Sequence, residues 1–176
     1  AQVALADEAL ARIEAPGKVL IGGLGLGYTL RAVLDLVDDD TDVVVAELVP
    51  ELVEWNRTHV GTLNDFPLAD PRVEVVVGDV FDTLKRSPGA FDAILLDVDN
   101  GPKALSQAKN QRLYSDAGTR VCLSALAPGG ILAVWANGHS PRYARKVEAL
   151  GAEVEVLWVK NNEQSRSHSV IYLIRA

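Results

Sequence analysis

Apolar residues in this chain fall in short runs that stop abruptly at glycine or at an acid. Val19-Leu20-Ile21 runs into Gly22-Gly23, Val43-Val44-Val45-Ala46 ends in Glu47, Val73 to Val77 ends in Gly78-Asp79, and Ala93-Ile94-Leu95-Leu96 ends in Asp97. Short apolar runs bounded by turn residues predict strands buried on both faces, the pattern of a parallel sheet. Between them the period changes. Leu30, Val33, Leu34 and Val37 lie at i, i+3, i+4 and i+7, one face of a helix. Residues 4–14 predict a helix with Leu5, Ala9 and Ile13 inward, ended by Pro16-Gly17. Pro50 and Glu51 start a helix that stops at Gly61, and a short helix near Thr83 to Arg86 has Asp82 as its expected cap. Ser115 caps a helix through Leu126, closed by Pro128-Gly129-Gly130 ahead of a fifth strand, Ile131 to Trp135. Ser140-Pro141 opens a helix to Leu150 with Tyr143, Val147 and Leu150 inward, stopped by Gly151. The β patterns Val154 to Lys160 and Ser169 to Arg175, joined by a polar loop, predict an antiparallel hairpin. The order strand, helix, strand argues for an α/β fold with a Rossmann-like arrangement.

The chemistry gathers where the strands stop. Gly23, Gly25 and Gly27 form a G-x-G-x-G loop between the first strand and its helix, where backbone bends tightly or approaches a ligand without a Cβ in the way. Glu47, twenty residues after Gly27, stands at the tip of the second strand with Leu48 beside it. A carboxylate there can accept hydrogen bonds from both hydroxyls of a ribose. In a pyrophosphate-binding G-x-G-x-x-G loop the last glycine would fall where Tyr28 stands, and a tyrosine there crowds a pyrophosphate. An adenosyl-sulfonium ligand, which carries no phosphate, fits better than NAD. Asp79 at the third tip is placed to take an adenine amino group while Val80 packs against the ring, with a helix N-cap as its plain structural alternative. Asp97 closes the fourth strand and leads into Val98-Asp99-Asn100-Gly101-Pro102, a polar loop able to cover a ligand.

Composition narrows the field. With 176 residues and 48% apolar content the chain suffices for one α/β domain and falls short of the second domain a dehydrogenase needs. A net charge of −7 argues against nucleic-acid binding, which calls for clustered lysine and arginine. No run approaches the ~20 apolar residues of a membrane span and no basic-then-apolar leader opens the sequence, so a soluble, cytoplasmic protein is expected. The single cysteine, Cys122, sits among apolar neighbours and reads as buried filler. His59, His139 and His168 lie far apart on different elements and read as surface or loop-packing histidines, so no metal site is expected.

Several stretches together resemble the spermidine synthase (polyamine aminopropyltransferase) family, within the class I fold of S-adenosylmethionine-dependent methyltransferases. They are Val19-Leu20-Ile21-Gly22-Gly23, Thr29 to Leu34, Asp70-Pro71-Arg72-Val73-Glu74-Val75-Val76-Val77-Gly78-Asp79, Phe91 to Asp97, and Leu126 to Ile131. The resemblance implies a three-layer sandwich around a seven-stranded, mostly parallel sheet whose last strand is antiparallel. It implies Glu47 on the ribose, Asp79 on the adenine and Asp97 at the reacting centre. An amine attacking a sulfonium carbon must lose a proton, and a carboxylate can hold the ammonium form and take that proton. Asp99 is a candidate second contact to a cationic acceptor. The sequence departs from the family at three points. Gly25 stands where the family has an acid gripping the donor's aminopropyl amine, Asp99-Asn100-Gly101-Pro102 replaces the family's Asp-Pro, and the small N-terminal β domain is absent, leaving 1–176 as one domain.

Three functions follow as expectations. The first is a spermidine synthase-like transferase that binds decarboxylated S-adenosylmethionine and alkylates a small-molecule amine. The second is a small-molecule methyltransferase using S-adenosylmethionine itself, because Gly25 leaves room for the donor carboxylate. The third is a non-catalytic adenosyl-nucleotide-binding protein. No nucleic acid or membrane partner is expected, and a homodimer stays open as an assembly.

Overall fold

A computed structural model describes residues 2–97, 112–161, 163, 164 and 166–176. Seven strands build a single sheet: β1 Lys18–Gly22, β2 Asp42–Glu47, β3 Val73–Val77, β4 Phe91–Leu96, β5 Leu126–Ala136, β6 Glu153–Lys160 and β7 His168–Arg175. Their spatial order is β3-β2-β1-β4-β5-β7-β6. The pairs β1–β2, β1–β4, β2–β3 and β4–β5 are parallel, while β7 runs antiparallel to both β5 and β6. The expected sheet and its C-terminal hairpin are therefore both present.

Alternation along the strands fills the two faces. Val19, Ile21, Val43, Val45, Ala93 and Leu95 point to one side, where α1 (Gln2–Leu10), α2 (Tyr28–Leu36) and α3 (Pro50–Arg57) contribute Leu5, Ala9, Leu30, Val33 and Val53. Leu20, Val44, Ile94, Leu132 and Tyr172 point to the other, against α4 (Val80–Lys85), α5 (Asp116–Ser124) and α6 (Pro141–Ala149), which supply Leu84, Cys122, Tyr143 and Val147. Both faces of the central strands are covered, which is why they read as continuous apolar runs rather than alternating ones. Cys122 is core filler, and burial pushes its thiol up to about 12, well away from a reactive thiolate.

Polar clamps fix the ends of these elements. The Arg72 guanidinium pairs with Asp70 at 3.0 and 2.8 Å and donates from Nη1 to the Val37 carbonyl at 3.1 Å, tying the start of β3 to the end of α2. Asp92 Oδ2 accepts from the backbone N–H groups of Gly17 at 2.7 Å and Lys18 at 3.2 Å, fixing the entry to β1.

Several boundaries differ from the sequence reading. The first helix stops at Leu10 rather than reaching residue 14. The third ends at Arg57, and two 3₁₀ turns, Gly61–Asn64 and Pro67–Ala69, carry the chain on. A Cβ on Gly61 would overlap the Phe66 ring, so this glycine marks a close approach more than a helix stop. Pro128-Gly129-Gly130 does not precede the fifth strand but lies inside β5, where a register shift between Phe91 and Ala93 absorbs the bend. The hairpin also gathers what looks scattered in sequence: Trp158 on β6 packs edge-on against both His139 and His168, with ring centroids 5.7 and 6.5 Å away. His139 further faces Tyr172, whose hydroxyl lies 3.2 Å from its Nδ1.

Candidate active site at the carboxyl edge of the sheet

Parallel register places the strand tips in one row. Gly22 pairs with Ala46 on one side and Leu96 on the other, and Glu47 pairs with Val77. The ladder continues one residue further, from Gly23 N to Ala46 O at 2.8 Å, Gly78 N to Glu47 O at 2.8 Å and Asp97 N to Gly22 O at 3.0 Å. The glycine loop, Glu47, Asp79 and Asp97 thus share one edge, at the point where strand order reverses between β1 and β4 and where ligands of open α/β sheets bind.

The loop needs its glycines for separate reasons. Gly23 and Gly27 have φ of 93° and 86°, and a Cβ on Gly27 would come within 2.7 Å of Asn56 Oδ1. Gly25 has φ of 52°, is exposed, and nothing lies within 4 Å of where its Cβ would be. Side chains from outside the loop hold it in shape. Glu47 is 6% exposed, and its Oε1 accepts from Leu24 N at 3.0 Å and Gly25 N at 3.4 Å, while Oε2 accepts from Val49 N at 3.0 Å. On the carbonyl side, Asn56 Nδ2 donates to Gly25 O and Asn64 Nδ2 to Leu26 O, each at 2.8 Å. Glu47 therefore braces the loop from the neighbouring strand tip, and Oε2, engaged by one donor, still offers a second lone pair. Leu48 follows it half-buried.

Asp79 is the N-cap of α4: its Oδ1 accepts from Phe81 N at 3.0 Å. The cap expected at Asp82 belongs to Asp79 instead, because the helix begins at Val80, three residues earlier than the pattern around Thr83 suggests, and Asp82 sits in its first turn. Asp79 Oδ2 pairs with Arg112 Nη2 at 2.7 Å. Val80 is 4% exposed and packs against the inside of β1 at Gly22. Asp97, partly buried, makes no hydrogen bond through its carboxylate to another described residue, and burial raises its pKa above the ordinary aspartate value. Asp99 lies outside the described residues.

Asn56, Asn64 and Arg112 escaped sequence reading. Each reaches its partner across 31 to 38 residues of chain, and polar residues near a helix end or in a turn carry no local mark of such a role.

Comparison with known proteins places the chain in a family. Residues 2–149 match the spermine/spermidine synthase domain. Polyamine aminopropyltransferase 2 of Pseudomonas aeruginosa is 36% identical over 134 residues, which cover 74% of this chain and 36% of that protein. The polyamine aminopropyltransferase of a Synechococcus strain is 33% identical over 126 residues, 72% of this chain and 39% of the relative. A spermidine synthase solved in complex with the transition state analogue AdoDATO superposes with a TM-score of 0.80 at 22% identity, covering 99% of this chain and 60% of that one. The chain spans well under half the length of these two curated relatives. With residues 2–149 matched by its domain model, the chain belongs to the spermine/spermidine synthase domain family.

Proposed function

We propose that this domain binds an adenosyl-sulfonium nucleotide along the carboxyl edge of its sheet and transfers an aminopropyl group from decarboxylated S-adenosylmethionine to a small-molecule amine. The observation that carries this reading is the convergence of the glycine loop, Glu47, Asp79 and Asp97 on one edge in a chain of this family.

In this reading Gly23, Gly25 and Gly27 let the backbone approach the nucleoside, and Glu47, with Leu48 beside it, offers the lone pair left on Oε2 to a ribose hydroxyl. Asp79 receives the adenine amino group, above the floor formed by Val80. Asp97 is the base. Its carboxylate, raised in pKa by burial and uncommitted among the described residues, holds the ammonium form of the acceptor and takes the proton as the amine attacks the carbon next to the sulfonium. Nitrogen gains the carbon as the thioether leaves with the C–S electron pair, so charge and protons balance with no further reagent. Asp99 serves as a second anionic contact for the cationic acceptor.

A specific observation supports a second reading. The open space at Gly25, where the family carries an acid, admits the carboxylate of S-adenosylmethionine itself, and methyl transfer would follow from the same edge. Assays with putrescine and decarboxylated donor, run against assays with S-adenosylmethionine and methyl-accepting amines, separate the two. Aminopropylated product supports the first reading; methylated product alone overturns it. Binding of methylthioadenosine with neither turnover would leave a nucleotide-binding protein without transferase activity.

A further inference from the structure

A cavity of about 320 Å³ lies between the end of α3 and the 3₁₀ turns that follow it, lined by Asn56, Arg57, Phe66, Leu68 and Ala69. Its lining includes none of the strand-tip acids, so it is separate from the carboxyl edge of the sheet. Asn56 is buried and Leu68 half-buried, whereas Arg57, Phe66 and Ala69 are exposed, which leaves an apolar wall with a cation and a ring at its mouth.

The chain goes to some length to place that ring. Asp65 and Phe66 are consecutive non-glycine residues with φ of 55° and 47°, a left-handed conformation that a bulky residue seldom adopts and that tends to mark functional segments. Gly61 makes room for the phenyl group, since a Cβ there would overlap it, and the ring ends 40% exposed on the cavity. Arg57 closes α3, where a cation suits the helix dipole. Among the described residues it makes no ion pair or hydrogen bond, although Glu54 and Asp65 are near it in sequence. A free guanidinium and a phenyl ring on one apolar-walled cavity suit a carboxylate carried on a flat apolar body, the fork pairing with both oxygens while the ring packs on the body.

The two walls of the cavity are also the two elements that hold the glycine loop. Asn56 on α3 donates to Gly25 O and Asn64 in the first turn donates to Leu26 O, each at 2.8 Å. Pro67, in the second turn, sits beside Gly27, with its Cγ 3.4 Å from where a Cβ would stand. An occupant between these walls fixes the spacing of the two clamps. We propose that the cavity is a binding site for a small flat carboxylate, held by Arg57 and Phe66, and that its occupancy tightens nucleoside binding at the sheet edge by pre-organising the glycine loop. The coupling rests on the adenosyl reading of that edge; the binding site does not.

The probe is 2-naphthoate, with 2-naphthamide as its uncharged match, titrated calorimetrically into the wild-type protein, R57M and F66L. One 2-naphthoate per chain is expected to bind the wild-type protein, about tenfold or more weaker in R57M and measurably weaker in F66L, with 2-naphthamide binding no better than 2-naphthoate binds R57M. Methylthioadenosine alone is expected to bind R57M within about twofold of wild type, because Arg57 touches neither the loop nor the edge acids. Saturating 2-naphthoate is expected to tighten methylthioadenosine about threefold or more in the wild-type protein and not in R57M, and linkage requires methylthioadenosine to tighten 2-naphthoate by the same factor. Equal 2-naphthoate affinity in wild type and R57M, with only a lower melting temperature in the variant, would mean that Arg57 serves the helix end alone and overturns the proposal. Absence of 2-naphthoate binding at millimolar concentration overturns it, as does mutual exclusion of the two ligands, which would place the carboxylate on the sheet edge. Independent binding of the two overturns the coupling. A wild-type protein that binds 2-naphthoate through Arg57 but no methylthioadenosine would uphold the site while sinking the adenosyl reading, and the coupling with it.

Discussion

Asp97 illustrates how one side chain's surroundings set its chemistry. Packed at the end of β4, it pays a desolvation cost on ionising, which raises its pKa and makes its carboxylate a better proton acceptor than a solvated aspartate. Asp97→Asn keeps the shape and removes the proposed base. It is expected to lower the transfer rate by about 10² or more while donor affinity, measured by calorimetry, stays within a few-fold. The sign of the pH effect follows from the direction of the shift. The proposed transfer needs the deprotonated form, so its rate is expected to fall as pH drops through the raised pKa, with the acid limb of kcat/KM above the ~3.9 of an ordinary aspartate. An acid limb at or below that value would contradict the assignment. Glu47 is the second instructive residue. Replacing it with Gln sets an NH₂ group against the amides of Leu24, Gly25 or Val49, and the resulting unsatisfied donors are expected to cost about 1–3 kcal/mol, read as a lower melting temperature.

At the scale of elements, one clamp shapes the loop at the carboxyl edge of the sheet and another fixes the opposite edge. Asn56 on α3 and Asn64 in the following 3₁₀ turn hold the carbonyls of the glycine loop. Asn56→Ala is expected to leave the fold intact but raise the donor's dissociation constant about tenfold, because the loop loses one of its fixed orientations. The Asp70–Arg72 clamp between β3 and α2 makes a pH prediction. Asp70 has its carboxyl lowered to about 2, chiefly by hydrogen bonding from Arg72. A depressed folded-state pKa contributes stability that is complete above the unfolded value and is lost as pH falls from about 4 toward 2. Acid unfolding should therefore show a component of about 1–2 kcal/mol in that window, and D70N should remove it. An unchanged acid limb in D70N would show that the clamp contributes nothing net.

For the molecule as a whole, the candidate site is assembled from the tips of several parallel strands, so ligand binding there would be linked to the stability of the entire sheet. Methylthioadenosine at about a hundred times its dissociation constant is expected to add about 2.7 kcal/mol, a rise of several degrees in melting temperature for a domain of this size. No shift at that concentration would show that the edge does not bind this nucleoside. Among the described residues no helix is long and apolar enough to cross a membrane. Buried apolar side chains cover both faces of the sheet.

The strands, most helices and the strand-tip acids were legible in the linear chain, because each rests on a local signal. A buried parallel strand is a run of apolar residues, a helix an i, i+3, i+4 stripe, and a tip is wherever the run breaks at glycine or acid. Helix ends were less legible. Asp79 and Asp82 both qualify as caps by type, and only the packing of Val80 into the core decides that the helix begins early. The long-range side-chain contacts were beyond the sequence altogether. Arg112 on Asp79, Asn56 and Asn64 on the glycine loop, and Trp158 between two histidines are contacts between residues that the chain separates and the sheet brings together. Periodicity and turn chemistry act over a few residues and so fix the elements, whereas the environment of each functional side chain comes from crossover connections that only the folded sheet order specifies.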